Sequence, residues 1–317
     1  MSCFAYRGNA RIVEMIQPRL ERAGFTREGE VELADVVLTY GTTTSELEDL
    51  YFDDGGIVQA AKPGMLLIDL SPTTPQFATE LFSLATISDL KMVEAPLVVT
   101  DAFADDALAK ENLSCFAAGE EDAVVDARGL LDHIVGEVTF AGGAGSAQLA
   151  RAMHTLTMTS RIVSSVEAAA LARAAQRSVS HIACAEDVAL SSPMLDALAN
   201  MRERRFESAY TTEMFMSELS AAIMSADDFE IIMPQAESAF NMLELLALIG
   251  GADLNPAALM LVYGNESDAA DFGLDWSRAE GYFENLAHEH EHHHDFDQDD
   301  DLADDGYEYD DFDFSSN

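Results

Sequence analysis

Lysine is almost missing from this chain. Lys62, Lys91 and Lys110 are the only three, and Lys and Arg together number 17 against 58 Asp and Glu. The formal net charge is −41. A surface of that sign repels phosphate backbones and anionic lipid, so neither nucleic acid nor membrane is expected as a partner. Such a surface suits high salt, and an acidic proteome explains it equally well. Cysteine is scarce too: Cys3, Cys115 and Cys184 are odd in number and scattered. That excludes a disulfide framework and leads us to expect a reducing, cytoplasmic compartment. No run of 18 or more apolar residues is present, so no membrane span is expected. Nor does the N-terminus carry the charged-then-apolar pattern of an export signal.

What the chain has is enough apolar sequence, 48% of 317 residues, for two domains and a sizeable core. It is organised around residues 140–173. Gly142, Gly143 and Gly145 open this stretch, and some thirty residues without Gly or Pro follow. Leu149, Met153, Leu156, Ile162, Val163, Val166 and Leu171 recur at three- and four-residue spacing, as on one helix face. With Ser146 as N-cap, the spacing predicts a helix of ~30 residues, roughly 45 Å long, joining two domains. Short strands and helices alternate before it, and the pattern after it is all-helical.

The same stretch resembles a known family. Gly145-Ser146-Ala147-Gln148-Leu149-Ala150-Arg151, with Glu167 sixteen residues on, is similar to the central motif of the β-hydroxyacid dehydrogenases. That family includes 3-hydroxyisobutyrate dehydrogenase and 6-phosphogluconate dehydrogenase, and its motif reads G-x-G-x-x-x-K-x-x-N-N. The resemblance places Arg151 at the catalytic Lys and His154-Thr155 at the Asn pair. In the family that Lys moves a proton while hydride passes to or from a nicotinamide. Arg releases a proton poorly, whereas His154, one helical turn on, titrates near neutrality. Arg151 and His154 are therefore the candidate catalytic residues.

The resemblance extends over roughly residues 2–265 and implies a Rossmann-like N-terminal domain. Its fingerprint, G-x-G-x-x-G, falls on Tyr6, Gly8 and Arg11, so only the middle glycine survives. Two side chains are expected where a pyrophosphate would lie. Pro18 is expected to kink or shorten the first helix, which Gly24 stops. Only ten residues, Phe25–Ala34, separate that helix from the next strand, Asp35–Tyr40. The ribose-reading strand and its helix are therefore expected to be deleted. Asp69-Leu70-Ser71-Pro72-Thr73-Thr74-Pro75 is similar to D-x-S-T-x-x-P, which puts Ser71 near the cofactor. A plain helix cap after a strand accounts for the same residues. Gly8 and Ser71 are thus the remnant cofactor-binding candidates.

Val93-Glu94-Ala95-Pro96-Leu97-Val98-Val99-Thr100 resembles D-A-P-V-S-G-G, whose last residues hold a substrate carboxylate through backbone N–H groups. β-branched residues make a poor anion nest. Farther on, Tyr210–Ile223 resembles a segment whose Lys contacts the cofactor, and Ser217 stands there. Thr100 and Ser217 are the altered substrate-side positions. The last segment, from His288, interleaves five His with Asp and Glu and has no apolar period, so it is expected to be a disordered tail. His288, His290, His292, His293 and His294 are candidate weak Zn²⁺ or Ni²⁺ ligands.

The expected architecture is α/β plus all-α. It comprises a truncated Rossmann-like domain over 1–141, a helical domain over 142–287 opened by the long helix, and a tail over 288–317. The expected function is that of a 3-hydroxyisobutyrate dehydrogenase-like protein that has lost dinucleotide binding and hydride transfer. It would act as a binding or scaffold protein for an unidentified small molecule, as a homodimer through the helical domain, with no cofactor. The alternatives are an active NAD(P)-dependent oxidoreductase with altered residues and a metal-handling protein working through its tail.

Overall fold

Short runs of Val, Ile and Leu, each bounded by a turn and an amphipathic helix, build a sheet with helices packed on it. The computed structural model describes residues 3–104, 106–178, 203, 205–264 and 269–279. The strands are β1 (Cys3–Gly8), β2 (Thr26–Glu28), β3 (Val36–Tyr40), β4 (Leu66–Asp69), β5 (Lys91–Glu94), β6 (Leu97–Val99), β7 (Leu113–Gly119) and β8 (Glu137–Gly142). β2, β1, β3, β4 and β5 are neighbours in that order and pair in parallel. β3 and β4 are buried along their whole length, as a sheet covered on both faces requires. β7 then runs antiparallel to both β5 and β6.

The pairs Val93↔Gly119, Glu94↔Ala118, Leu97↔Cys115, Val98↔Ser114 and Val99↔Leu113 keep one register. β5 and β6 are therefore one strand interrupted at Ala95-Pro96, where proline has no N–H to give the ladder. β8 pairs in parallel with β7.

The helices of this part are α1 (Ala10–Arg22), α2 (Thr44–Phe52), α3 (Ile57–Ala60), α4 (Pro75–Ile87) and α5 (Glu121–Ile134). Two expectations are corrected here. The second strand is present: β2 pairs with β1 from Cys3↔Thr26 to Ala5↔Glu28. Three residues suffice for it, and a single 3₁₀ turn, Val31–Leu33, replaces the helix that would follow. Nor does Pro18 end α1, which continues through it to Arg22. Pro18 and Glu14 both face solvent, so water can serve the carbonyl that proline leaves without its helical donor.

The long helix, α6 (Ser146–Ser178), has 33 residues, with Ser146 as its first residue and not its cap. Its period was expected correctly and its phase was not. Leu149, Met153 and Leu171 are 42%, 57% and 72% exposed. The buried stripe is instead Gln148, Arg151, Ala152, Thr155, Thr159, Ile162, Ser165, Val166 and Ala169. These are mostly small or polar residues, which let α6 lie close to its neighbours. The hydroxyl of Thr159 is satisfied by donating to Thr155 O at 2.8 Å.

After α6 come α7 (Thr212–Asp227) and α8 (Pro234–Leu246), a π-helical turn (Ala247–Gly251) and a 3₁₀ helix (Pro256–Leu261). The described residues up to Trp276 form one compact unit. Among the described residues no helix is long and apolar enough to cross a membrane. The tail and its five His fall outside the described residues. Among those that are described, no group of three or more metal-ligating side chains gathers.

Candidate functional site

The loops that follow parallel strands meet at the carboxyl edge of the sheet, where open α/β sheets take ligands. Here the strand order reverses at β1, which lies between β2 and β3. The β1–α1 turn is closed by the protein itself. Gly8 has φ +114, and a Cβ on it would collide with the backbone of Tyr40. Asn9 N donates to Tyr40 O at 3.0 Å, and the Asn9 side chain caps α1 by accepting from Arg11 N. The buried Tyr6 donates its hydroxyl to Asn9 O at 2.7 Å. Gly8 thus serves the close approach of two strands, and Tyr6 fills the turn as expected. Arg11 does not crowd the turn. Its side chain leaves it for an ion pair with Asp253, both partners being solvent-exposed.

Ser71 is fully buried and belongs to a network beneath the β4 loop. Its hydroxyl donates to Asp69 Oδ1, which also accepts from Thr39 Oγ1 at 2.9 Å. Gly41 N in turn donates to Ser71 Oγ at 2.9 Å. Burial pushes the Asp69 carboxyl up to about 6, against the pull of the Ser71 and Thr39 hydroxyls.

The centre of the site is Arg151, a fully buried guanidinium. It donates to Gln148 Oε1 at 3.0 Å, Glu218 O at 2.9 Å, Thr73 O at 3.2 Å and Thr155 Oγ1 at 3.4 Å. Gln148 completes the clamp: it accepts from Thr73 N at 3.1 Å and donates to Ser71 O at 2.9 Å. Burial lowers the Arg151 pKa to about 10, so it stays charged at neutral pH. A charged guanidinium with its donors engaged by protein oxygens ties the Thr73 loop to the helix that carries Glu218. His154 is neutral at that pH, because burial, then Arg161 and Arg151, lower its pKa. Its Nδ1 is buried and without a partner.

Sequence reasoning left two carboxyls without a role. Glu218, next to Ser217 on α7, is pushed by burial up to about 7, with Arg151 and Tyr210 opposing. The Tyr210 hydroxyl stands beside it without a hydrogen bond of normal geometry. Glu94, at the end of β5, accepts from Ala147 N at 3.2 Å and so caps α6 from another element. Burial pushes it up to about 7, while the Ala147 and Gly145 amides pull it down. Its second oxygen has no partner. The signal was present in the sequence: an acid within an otherwise apolar strand, just ahead of a proline, calls for a buried partner.

The substrate-side positions do not join this cluster. Thr100 is exposed, and its N–H and hydroxyl both donate to Asn112 O, at 2.9 and 3.1 Å. Val98 and Val99 lie in the ladder with β7. Ser217 donates its hydroxyl to Thr42 O, in the loop after β3.

The model of the NAD binding domain of 6-phosphogluconate dehydrogenase matches residues 6–143. That part of the chain is an NAD-binding-type domain of the 6-phosphogluconate dehydrogenase superfamily. Its relatives within that superfamily are 3-hydroxyisobutyrate dehydrogenase-like. One is a probable 3-hydroxyisobutyrate dehydrogenase-like protein of Arabidopsis thaliana, 26% identical over 62% of this chain and 64% of its own. Another is an NAD-dependent L-serine dehydrogenase of Pseudomonas aeruginosa, 28% identical over 44% of this chain and 46% of its own. The chain thus spans less than two thirds of the length of either relative. Among solved structures, 3-hydroxyisobutyrate dehydrogenase of Mycobacterium tuberculosis has the same fold. Its TM-score is 0.62 at 19% identity, over 84% of this chain and all of that one.

Proposed function

We propose that this superfamily member has lost dinucleotide binding and hydride transfer and acts as a binding or scaffold protein. The observation that carries the reading is Arg151, at the family's lysine position, buried and engaged with Gln148, Thr73, Thr155 and Glu218. An acid–base residue must reach a reacting atom and exchange a proton near its pKa, and Arg151 is held away from both. The residues at the nucleotide turn do not fit the cofactor either. Tyr6 occupies the turn, the Asn9 amide is bonded to Tyr40 O, and Gly8 has a structural duty. Hydride chemistry belongs to the cofactor, so a turn that does not seat the cofactor leaves the protein without that chemistry.

Titration with NADPH and with NADH, followed by fluorescence, tests the reading. No binding up to high micromolar concentration and no oxidation of 3-hydroxyisobutyrate are expected. Micromolar binding, or turnover that disappears in Arg151→Ala or His154→Ala, would establish an active oxidoreductase instead.

We propose further that the protein is a homodimer through its helical part. Met224, Phe229, Ile231 and Ile232 are exposed between 45% and 80% there, which gives that part apolar surface to cover. Weak Zn²⁺ or Ni²⁺ binding by His288, His290, His292, His293 and His294 is the remaining proposal, from composition alone.

A further inference from the structure

Four side chains of the helical part each bond the segment that follows one strand of the sheet. Asp253 pairs with Arg11, after β1. Ser217 donates to Thr42 O, after β3. Arg151 donates to Thr73 O, after β4, and Asn255 Nδ2 donates to Ala102 O at 2.7 Å, after β6. β1, β3 and β4 are parallel neighbours, so their three loops share the carboxyl edge.

Asp253 and Asn255 sit on one turn, and that turn is built to hold them. Leu254 bridges Glu207, and its carbonyl accepts from Thr212 N and Thr212 Oγ1 at 2.7 and 2.8 Å. Asn255 N donates to Phe206 O at 2.8 Å, and Asn255 Oδ1 caps the following 3₁₀ helix through Ala257 N. The backbone is thus fixed from both sides, and the two side chains project from it onto the first turn of α1 and the loop after β6. An exposed ion pair alone contributes little stability. One on a rigid turn, beside a buried amide tether, contributes position.

We propose that the helical part is an autoinhibitory clamp on the sheet's ligand crevice, and that Arg11–Asp253 is its releasable latch. Three ties are made by buried or partly buried side chains, whereas the latch is in solvent. An inorganic salt or an anion competing for Arg11 acts on the latch first, because exposed charges are screened and buried bonds are not. The clamp goes beyond the reading above: it concerns what holds the helical part on the carboxyl edge, whichever ligand that edge takes.

Hydrogen exchange on the full chain tests it, read at residues 8–13 and 252–256 in the wild type, Asp253→Asn and Asp253→Asn/Asn255→Ser. Asp253→Asn should exchange roughly two- to fivefold faster at both places, the order expected for one exposed pair. The double variant should exceed tenfold, the order of a lost buried hydrogen bond added to it. Molar NaCl should accelerate the wild type and leave Asp253→Asn unmoved. Unchanged exchange in Asp253→Asn, with a wild-type melting temperature, overturns the clamp whether or not the double variant folds. NADPH separates the two ideas. Binding by the opened variant alone keeps the clamp and overturns the lost dinucleotide site. Unchanged exchange with no binding by any variant does the reverse.

Discussion

Arg151 and Glu218 lie together in the core, yet the guanidinium donates to the main-chain oxygen of Glu218, at 2.9 Å, and not to its carboxylate. Burial raises that carboxyl to about 7, and the nearby Arg151 charge offsets only part of the rise. The cation is held mainly by neutral oxygens, which fix direction as well as charge. A planar fork matches that task, and a single ammonium does not.

Arg151→Ala should therefore cost stability before it costs anything else. It leaves Thr73 O, Glu218 O and Gln148 Oε1 short of a donor inside the protein. The expected loss is at least about 2–3 kcal/mol in urea unfolding, since each buried acceptor deprived of its partner costs about 1–3 kcal/mol. Arg151→Lys should recover only part of it, because one Nζ cannot reach oxygens on three elements. Recovery to wild-type stability by Lys would show that charge alone matters there.

How much of this could be read from the sequence differs from element to element. β3, β4 and β7 were readable because buried strands are continuous apolar runs. β2 was not, since Thr-Arg-Glu has no pattern and is defined only by its pairing with Cys3–Ala5. The length of α6 was readable from the missing Gly and Pro. Its orientation was not, because its buried stripe is made of Gln, Arg, Thr and Ala while Leu149 and Met153 face out. Arg151 stood out by position, and that it clamps the Thr73 loop depended on α6 meeting the sheet.

Gly8→Ala tests whether the surviving glycine is structural. Its φ of +114 is strained for any side chain, and its Cβ would enter the Tyr40 backbone. A loss of at least ~2–3 kcal/mol is expected from strain and displacement together. The loss should be the same with and without NADPH. A stable variant would mean that β1 and β3 separate easily, and the glycine would then need another explanation.

Light scattering at micromolar concentration should give a dimer. Replacing Ile231 and Ile232 by Asp places charge on the apolar surface beyond α7 and should yield a monomer with little change in melting temperature. A monomeric wild type removes the dimer proposal. A dimer that survives both substitutions moves the interface elsewhere.

The pH dependence has a definite sign. Asp69, Glu94 and Glu218 are raised by burial to about 6, 7 and 7 in the folded chain, from about 4 when unfolded. The unfolded state therefore releases these protons at lower pH than the folded state does. Their contribution is fully present below about pH 4 and is lost as pH rises through 6 to 7. The melting temperature should fall from pH 5.5 to pH 8. Net charge acts in the same direction, because a chain at −41 repels itself less when carboxylates are protonated. Glu94→Gln and Glu218→Gln separate the two effects. Each amide keeps the shape and cannot ionise, so each variant should flatten the curve between pH 6 and 8 and leave general charge repulsion almost as it was. If both keep the wild-type slope, the dependence belongs to the surface and not to the buried carboxyls.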